Sequence, residues 1–119
     1  MITLDIERID DVPVARPRGD IDAASASRTR AELIECFDTG AADDLVLDLS
    51  ATRYVDSAGI DMLFRLSELL RQRRARLLLV IPPASSLARL ATIVALPQAM
   101  PVHATVEQAL RARAPETEA

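Results

Sequence analysis

The sequence predicts an α/β domain with a mixed, mostly parallel sheet of about five strands and about four helices, its antiparallel first strand at the edge. Short apolar runs alternate with amphipathic segments along most of the chain, and this alternation favours parallel strands joined by right-handed crossovers. The first two strand-like segments are separated only by Asp10-Asp11, so they pair antiparallel. A chain of 119 residues, 50% of them hydrophobic, is expected to form one core.

Two strands open the chain. Residues 2–7 alternate apolar and polar side chains, a pattern typical of a strand with one buried face. A second strand runs from residue 12 to residue 16. Because Pro13 and Pro17 each remove a backbone N–H, we expect this strand to be irregular or bulged.

A first helix follows residues 19–22, Gly-Asp-Ile-Asp. Asp22 is its predicted N-cap, since its carboxylate can accept from free N–H groups two or three residues later. The helix opens over 23–26, buries Leu33, Ile34 and Phe37, and ends at Gly40.

The apolar run at 45–49 predicts the central buried strand, and residues 56–59, Asp-Ser-Ala-Gly, lead from it into a second helix. Ser57 thus lies at a helix N-terminus, where unpaired N–H groups favour a hydroxyl, a carboxylate or a phosphate. Four of the six residues at 71–76 are arginine, which we interpret as cations favoured by the helix dipole rather than as a phosphate or partner patch.

The last third predicts a strand at 77–81, stopped by Pro82-Pro83, and a short strand at 100–103. Between them, Ser85 or Ser86 caps a helix that Pro97 ends. Its inward positions are Leu87, Leu90, Ile93 and Val94. Thr105 and Gln108 form a capping box for a final helix with Val106, Ala109 and Leu110 facing inward. Residues 114–119 are expected to be a disordered tail, which leaves 1–113 as the domain.

Composition excludes several functions. The formal charge is −4, with 14 basic and 18 acidic residues, which argues against direct nucleic-acid binding through a basic face. No segment reaches the ~20 apolar residues that would insert into a membrane. The N-terminus has acidic residues where a signal peptide has basic ones, and Cys36 is the only cysteine, so we expect a reducing, cytoplasmic setting.

Catalytic residues are scarce. His103 is the only histidine, and the sequence has no G-x-S-x-G motif and no glycine-rich phosphate loop. One cysteine and one histidine, without a carboxylate cluster at loop spacing, do not make a metal site. We therefore expect a protein that is not an enzyme and that needs no cofactor or metal.

The Asp-Ser-Ala-Gly segment allows two interpretations. It is a plain helix cap whose small residues permit close packing, or Ser57 is a reversible phosphorylation site. Small neighbours at Ala58 and Gly59 leave the hydroxyl accessible to a kinase. A phosphate there adds about −1.5 to −2 charges beside Asp56, so it would oppose a partner contact without unfolding the domain.

Four segments together resemble the STAS family, the anti-sigma factor antagonists, over nearly the whole chain from about Ile2 to Arg111. They are residues 19–22, 45–49 with 54–60, 77–81 and 105–110. The resemblance implies a STAS-like fold and a bacterial regulator of transcription. In this family glycine is frequent at the positions of Ala75 and Ala95; its absence at the first removes a left-handed helix cap.

The resemblance also implies partner switching. The unphosphorylated protein binds an anti-sigma factor with serine kinase activity and frees a sigma factor, phosphorylation of Ser57 ends the complex, and a PP2C-type phosphatase restores it. The implied partner-binding residues lie around that serine: Asp20, Asp22, Asp56, Ser57, Ala58, Gly59, Asp61 and Met62. The alternative is an unphosphorylated STAS subunit or scaffold of a transport or signalling complex. A hydrolase using Ser57 is disfavoured because no base is placed to activate it.

Overall fold

The structure is a computed structural model that describes residues 2–38 and 43–113. Its elements in chain order are β1 Thr3–Ile9, β2 Val12–Arg18, α1 Ala26–Asp38, β3 Asp44–Asp48, α2 Ser57–Gln72, β4 Arg76–Val80, α3 Ser86–Ile93, α4 Leu96–Ala99, β5 Val102–His103 and α5 Val106–Arg113. The predicted stop at Gly40 and the predicted disordered tail at 114–119 lie outside the described residues.

The described strands form one sheet in the order β1-β2-β3-β4-β5. β1 is antiparallel to β2, and the remaining pairs are parallel, which confirms the predicted fold class. The larger core cluster joins buried side chains of the sheet, α1, α2, α3 and α4. A smaller cluster on the other face joins Val14, Val46 and Leu78 to Ala109 of α5.

The prediction of a bulged second strand is wrong. Asp10 and Asp11 both have positive φ (53° and 66°) and form a two-residue turn, and the register runs without a break from Ile9–Val12 to Thr3–Arg18. Ile9 and Val12 close the turn as a hydrogen-bonded pair, so alternation places Pro13 and Pro17 at non-hydrogen-bonded positions toward β1. Their missing N–H groups therefore interrupt nothing in the hairpin.

The helix after β4 also differs from the prediction. Ser85 caps it by accepting from the Ala88 N–H at 3.3 Å, but it ends at Ile93 and not at Pro97. Ala95 then takes a left-handed conformation with φ of 61°, and Pro97 lies in the first turn of the additional short helix α4. The helix buries Leu87 and Ala91, and Ile93, which lies on the opposite side of the helix from Ala91, is 73% exposed rather than inward-facing.

The arginine-rich end of α2 has structural roles. Arg74 is left-handed (φ 62°), and the Ala75 N–H donates to the Leu70 carbonyl at 2.8 Å, so the helix closes with a left-handed cap at Arg74. The left-handed position, where glycine would be favoured, is therefore Arg74 and not Ala75. Arg73 forms an ion pair with Asp38 of α1, which links the ends of the two helices.

Candidate functional site

The candidate site is formed by two loops that a single bridge holds side by side. Ile21 and Val55 form an isolated parallel bridge outside the named strands. The Ile21 N–H donates to the Tyr54 carbonyl at 3.0 Å, and the Asp56 N–H donates to the Ile21 carbonyl at 3.1 Å. The bridge therefore brings the segment before α1 next to the start of α2, although the two are far apart in sequence.

Asp56 is the N-cap of α2. Its Oδ1 accepts from the Gly59 N–H at 3.0 Å, and its Oδ2 accepts from the Ala23 N–H at 3.1 Å. Both oxygens of one carboxylate thus fix the start of α2 and its distance to the segment before α1. The plain-cap interpretation of the motif applies to Asp56, because the carboxylate and not a serine hydroxyl satisfies the helix N-terminus.

Ser57 is the first residue inside α2, and its side chain is exposed. Since Asp56 provides the cap, the Ser57 hydroxyl is not needed to begin the helix. The position remains at the positive end of the helix dipole, which stabilises an added anion. Chemically, it is an exposed serine hydroxyl at a helix N-terminus.

Gly59 and Met62 are buried, which contradicts their prediction as exposed partner-binding residues at the helix start. A Cβ at position 59 would lie 2.5 Å from Val55 Cγ1 and 2.7 Å from the Ile21 carbonyl oxygen. Gly59 is thus required for the close approach of the two loops, and its main role is not to keep the serine accessible. Asp61 is exposed and Ala58 is only partly buried, so both can contact a partner protein.

The acidic residues before α1 differ in their roles. Asp22 Oδ1 accepts from the Ala24 N–H at 3.1 Å and lies 3.1 Å from the Ser25 hydroxyl. The predicted acceptance from a following N–H is confirmed, but it closes a turn, and the helix itself begins at Ala26. Asp20 is exposed, and its carbonyl lies 3.2 Å from the Ser25 hydroxyl.

A shallow groove of about 360 Å³ separates the starts of α1 and α2 beside Ser57. It is lined by Ala23, Ala26, Ser27, Arg30, Ala58, Asp61, Met62 and Arg65. Sequence reasoning named three of these residues and missed the α1 side. Ala23, Ala26, Ser27 and Arg30 recur at helical spacing and share one face of the segment, a signal that could have identified them. Arg65 pairs with Asp61 at 2.6 Å, so the groove presents both signs of charge.

Other chemistry is sparse in the part of the chain that the structure describes. No group of three or more His, Cys, Asp or Glu side chains lies close enough there to hold a metal ion. Within the same residues, no helix has the length and apolar character needed to cross a membrane. His103 lies on β5 opposite Val80, and burial raises the pKa of the Cys36 thiol on α1.

Known proteins resemble this chain over most of its length. The family model for the STAS domain matches residues 3–109. An anti-sigma factor antagonist from Mycobacterium paratuberculosis is 28% identical with a TM-score of 0.80, and the match covers 94% of this chain and 93% of that one.

Two more distant structures share the fold. Phosphorylated SpoIIAA from Bacillus is 21% identical, with a TM-score of 0.67, and 93% of this chain and 100% of that chain are covered. A sulfate transporter family protein from Wolinella succinogenes is 19% identical, with a TM-score of 0.74 and coverage of 95% and 93%. Identities this low establish the architecture and not a role.

Proposed function

The chain belongs to the STAS domain family, and we propose that it is an anti-sigma factor antagonist switched by phosphorylation of Ser57. In its unmodified form it binds an anti-sigma factor that has serine kinase activity, and this binding frees a sigma factor. Phosphorylation by that kinase ends the complex, and a PP2C-type phosphatase restores it. The chain performs no catalysis in this cycle, which takes place in the cytoplasm.

The observation that carries the proposal is the division of roles between Asp56 and Ser57. The Asp56 carboxylate holds the helix start through Gly59 and Ala23, while the Ser57 hydroxyl is exposed. A kinase can therefore modify this hydroxyl without removing a hydrogen bond on which the helix depends. The 28% identical antagonist supports the assignment to this branch of the family.

The proposed modification transfers the terminal phosphoryl group of ATP to Ser57 Oγ. The new O–P bond forms as the bond to the ADP oxygen breaks, and the hydroxyl proton passes to a base supplied by the kinase. The phosphatase reverses the change by hydrolysis: water attacks the phosphorus, inorganic phosphate leaves and Oγ regains its proton. Both catalytic machineries belong to the partners, so this chain needs only an accessible hydroxyl.

Electrostatics and bulk explain why modification would end the complex. The phosphate adds about −1.5 to −2 charges at pH 7 next to the Asp56 carboxylate and close to the loop that bears Asp20 and Asp22. A partner that covers Ser57 and the adjacent groove must desolvate or accommodate this charge. A loss of ~3 to 4 kcal/mol would weaken binding by about 10² to 10³-fold.

Intact-mass spectrometry tests the proposal. The protein is incubated with ATP and the anti-sigma factor kinase that co-purifies with its unmodified form, using wild type and Ser57→Ala. We expect wild type to gain one phosphate and Ser57→Ala to gain none. Ser27→Ala is the matched control, because Ser27 is an exposed serine in the adjacent groove. Equal phosphate gain in Ser57→Ala and wild type would contradict the proposal.

A second candidate function is an unphosphorylated subunit or scaffold of a transport or signalling complex. The fold shared with the sulfate transporter family protein of Wolinella succinogenes is the observation that favours it. The two functions differ in the protein that co-purifies. Recovery of a membrane transporter, with no serine kinase and no phosphate on Ser57, would favour the second candidate.

A further inference from the structure

A second surface lies along the outer edge of β1, on residues different from those around Ser57. β1 has only β2 as a neighbour in the described sheet. Because Ile9 and Val12 close the hairpin as a hydrogen-bonded pair, residues 3, 5, 7 and 9 direct their backbone groups toward β2. The backbone groups of Leu4 and Ile6 consequently point away from the sheet, toward the position that another strand would occupy.

An apolar groove runs beside this edge, between β1 and the second half of α1. Its volume is about 460 Å³, and it is lined by Ile2, Thr3, Leu4, Ile6, Glu32, Glu35 and Cys36. Ile6 is 48% exposed, whereas Ile2 on the same face of the strand is 8% exposed. A large apolar side chain therefore stands in the groove next to a strand edge with open hydrogen-bonding positions.

The charged side chains at this edge decide which partner fits: Arg18 of β2 pairs with Asp5, and Arg8 of β1 donates to the Cys36 carbonyl at 3.2 Å, whereas Glu7, Glu32 and Glu35 leave the edge acidic. Glu32 and Glu35 are the charged residues that line the groove, and Asp5 and Glu7 alternate with the apolar residues on the opposite face of β1. A second copy of this chain is a poor partner. Antiparallel pairing of two β1 edges about Ile6 would place Asp5 of each copy opposite Glu7 of the other, and like charges directly opposite are destabilising.

We propose that the β1 edge binds an extended segment of a partner protein in which apolar and basic residues alternate, adding it to the sheet as a further strand. Its backbone pairs with Leu4 and Ile6. Its apolar side chains pack on Ile6 in the groove, and its basic side chains face Glu7, next to the Asp5–Arg18 ion pair. This partner contact goes beyond the proposed switch and leaves the surface around Ser57 free.

Fluorescence anisotropy with a short labelled peptide that alternates arginine and valine tests the proposal on the full chain. A peptide of identical composition with the two residue types in separate blocks is the control. We expect the alternating peptide to bind at least about tenfold more tightly than the block peptide. Equal binding of the two peptides, or binding of neither, would overturn the proposal.

Two matched substitutions locate the contact. Ile6→Lys should weaken binding of the alternating peptide by about tenfold or more, and so should Glu7→Lys, which reverses the charge that faces the peptide's arginines. Ile93→Lys is the control, because it introduces the same charge at an apolar residue that is 73% exposed on α3, and it should bind as wild type does. Equal affinities in Ile6→Lys, Glu7→Lys and Ile93→Lys would reject the β1 edge as the site.

Amide hydrogen exchange separates strand addition from simple charge attraction. Bound peptide should slow exchange at the Leu4 and Ile6 amides, which face away from β2. Unchanged exchange at these amides in the peptide complex would exclude an added strand. Ser57→Asp should bind the peptide as wild type does, so this proposal and the phosphorylation switch can fail independently.

Discussion

Replacing Gly59 with alanine tests the packing at the centre of the candidate site. The added Cβ would lie 2.5 Å from Val55 Cγ1 and 2.7 Å from the Ile21 carbonyl oxygen. The Ile21 contact is backbone, and that oxygen already accepts from the Asp56 N–H at 3.1 Å, so it cannot move without loosening the bridge between the loops. Overpacking of this kind costs about 1 to 3 kcal/mol, and alanine recovers about 0.5 to 1 kcal/mol of helix propensity. We expect a net loss of ~1 to 2 kcal/mol.

Urea unfolding followed by far-UV circular dichroism measures this loss. Gln72→Ala, at the exposed end of the same helix, is the control and should stay within about 0.5 kcal/mol of wild type. A shift of the Ala23 amide resonance should accompany Gly59→Ala, since the Asp56 carboxylate that binds this amide is displaced with the helix start. If Gly59→Ala were as stable as wild type or more stable, the close approach of the two loops would not be what requires glycine.

Three further predictions concern Asp56, Ala95 and Cys36. Asp56→Ala should lower the unfolding free energy by ~1 to 2 kcal/mol in urea, because the N–H groups of Gly59 and Ala23 both lose their acceptor. Ala95→Gly should raise it by about 0.5 to 1 kcal/mol, since glycine adopts the left-handed conformation without the strain of a side chain; an unchanged midpoint would contradict this. Cys36 should react with iodoacetamide more slowly at pH 8 than a short cysteine peptide does, because burial raises the pKa of the thiol and lowers its thiolate fraction, and the rate should rise with pH while the fold persists. Urea should abolish the difference.

The strand and helix order could be predicted because it depends on local periodicity. The apolar run at 45–49 and the alternation at 2–7 are complete within a few residues, and the mostly parallel sheet with its antiparallel first strand follows from them by general rules of chain connection. Pro13 and Pro17 show where this reasoning stops. Whether a proline interrupts a strand depends on which edge its missing N–H faces, and the Asp10-Asp11 turn determines that register.

The candidate site also has features that local sequence predicts and features that depend on distant residues. The position of Ser57 at a helix start was predictable from the change in periodicity after residue 56. The contact of Asp56 with Ala23 and the role of Gly59 were not, because they depend on residues 21–23. This segment lies more than thirty residues earlier in the chain and is held beside the start of α2 by the bridge between Ile21 and Val55. The prediction that Ile93 is inward-facing fails because apolar residues occur on more than one face of this helix, and the tertiary packing buries the face with Leu87 and Ala91.

The helix cap is Asp56, whereas the proposed phosphorylation site is the next residue, Ser57. This separation determines what kind of switch the site supports. If the Ser57 hydroxyl were the cap, its phosphorylation would alter the acceptor on which the helix start depends, and each cycle would remodel α2. Here the Asp56 carboxylate makes both acceptor contacts, to Gly59 and to Ala23, so a phosphate on Oγ would remove neither of them. Modification then changes charge and bulk on a fixed surface. The difference in partner affinity must therefore arise at the contact with the partner, so Ser57→Asp should weaken that contact while the far-UV circular dichroism spectrum remains that of wild type.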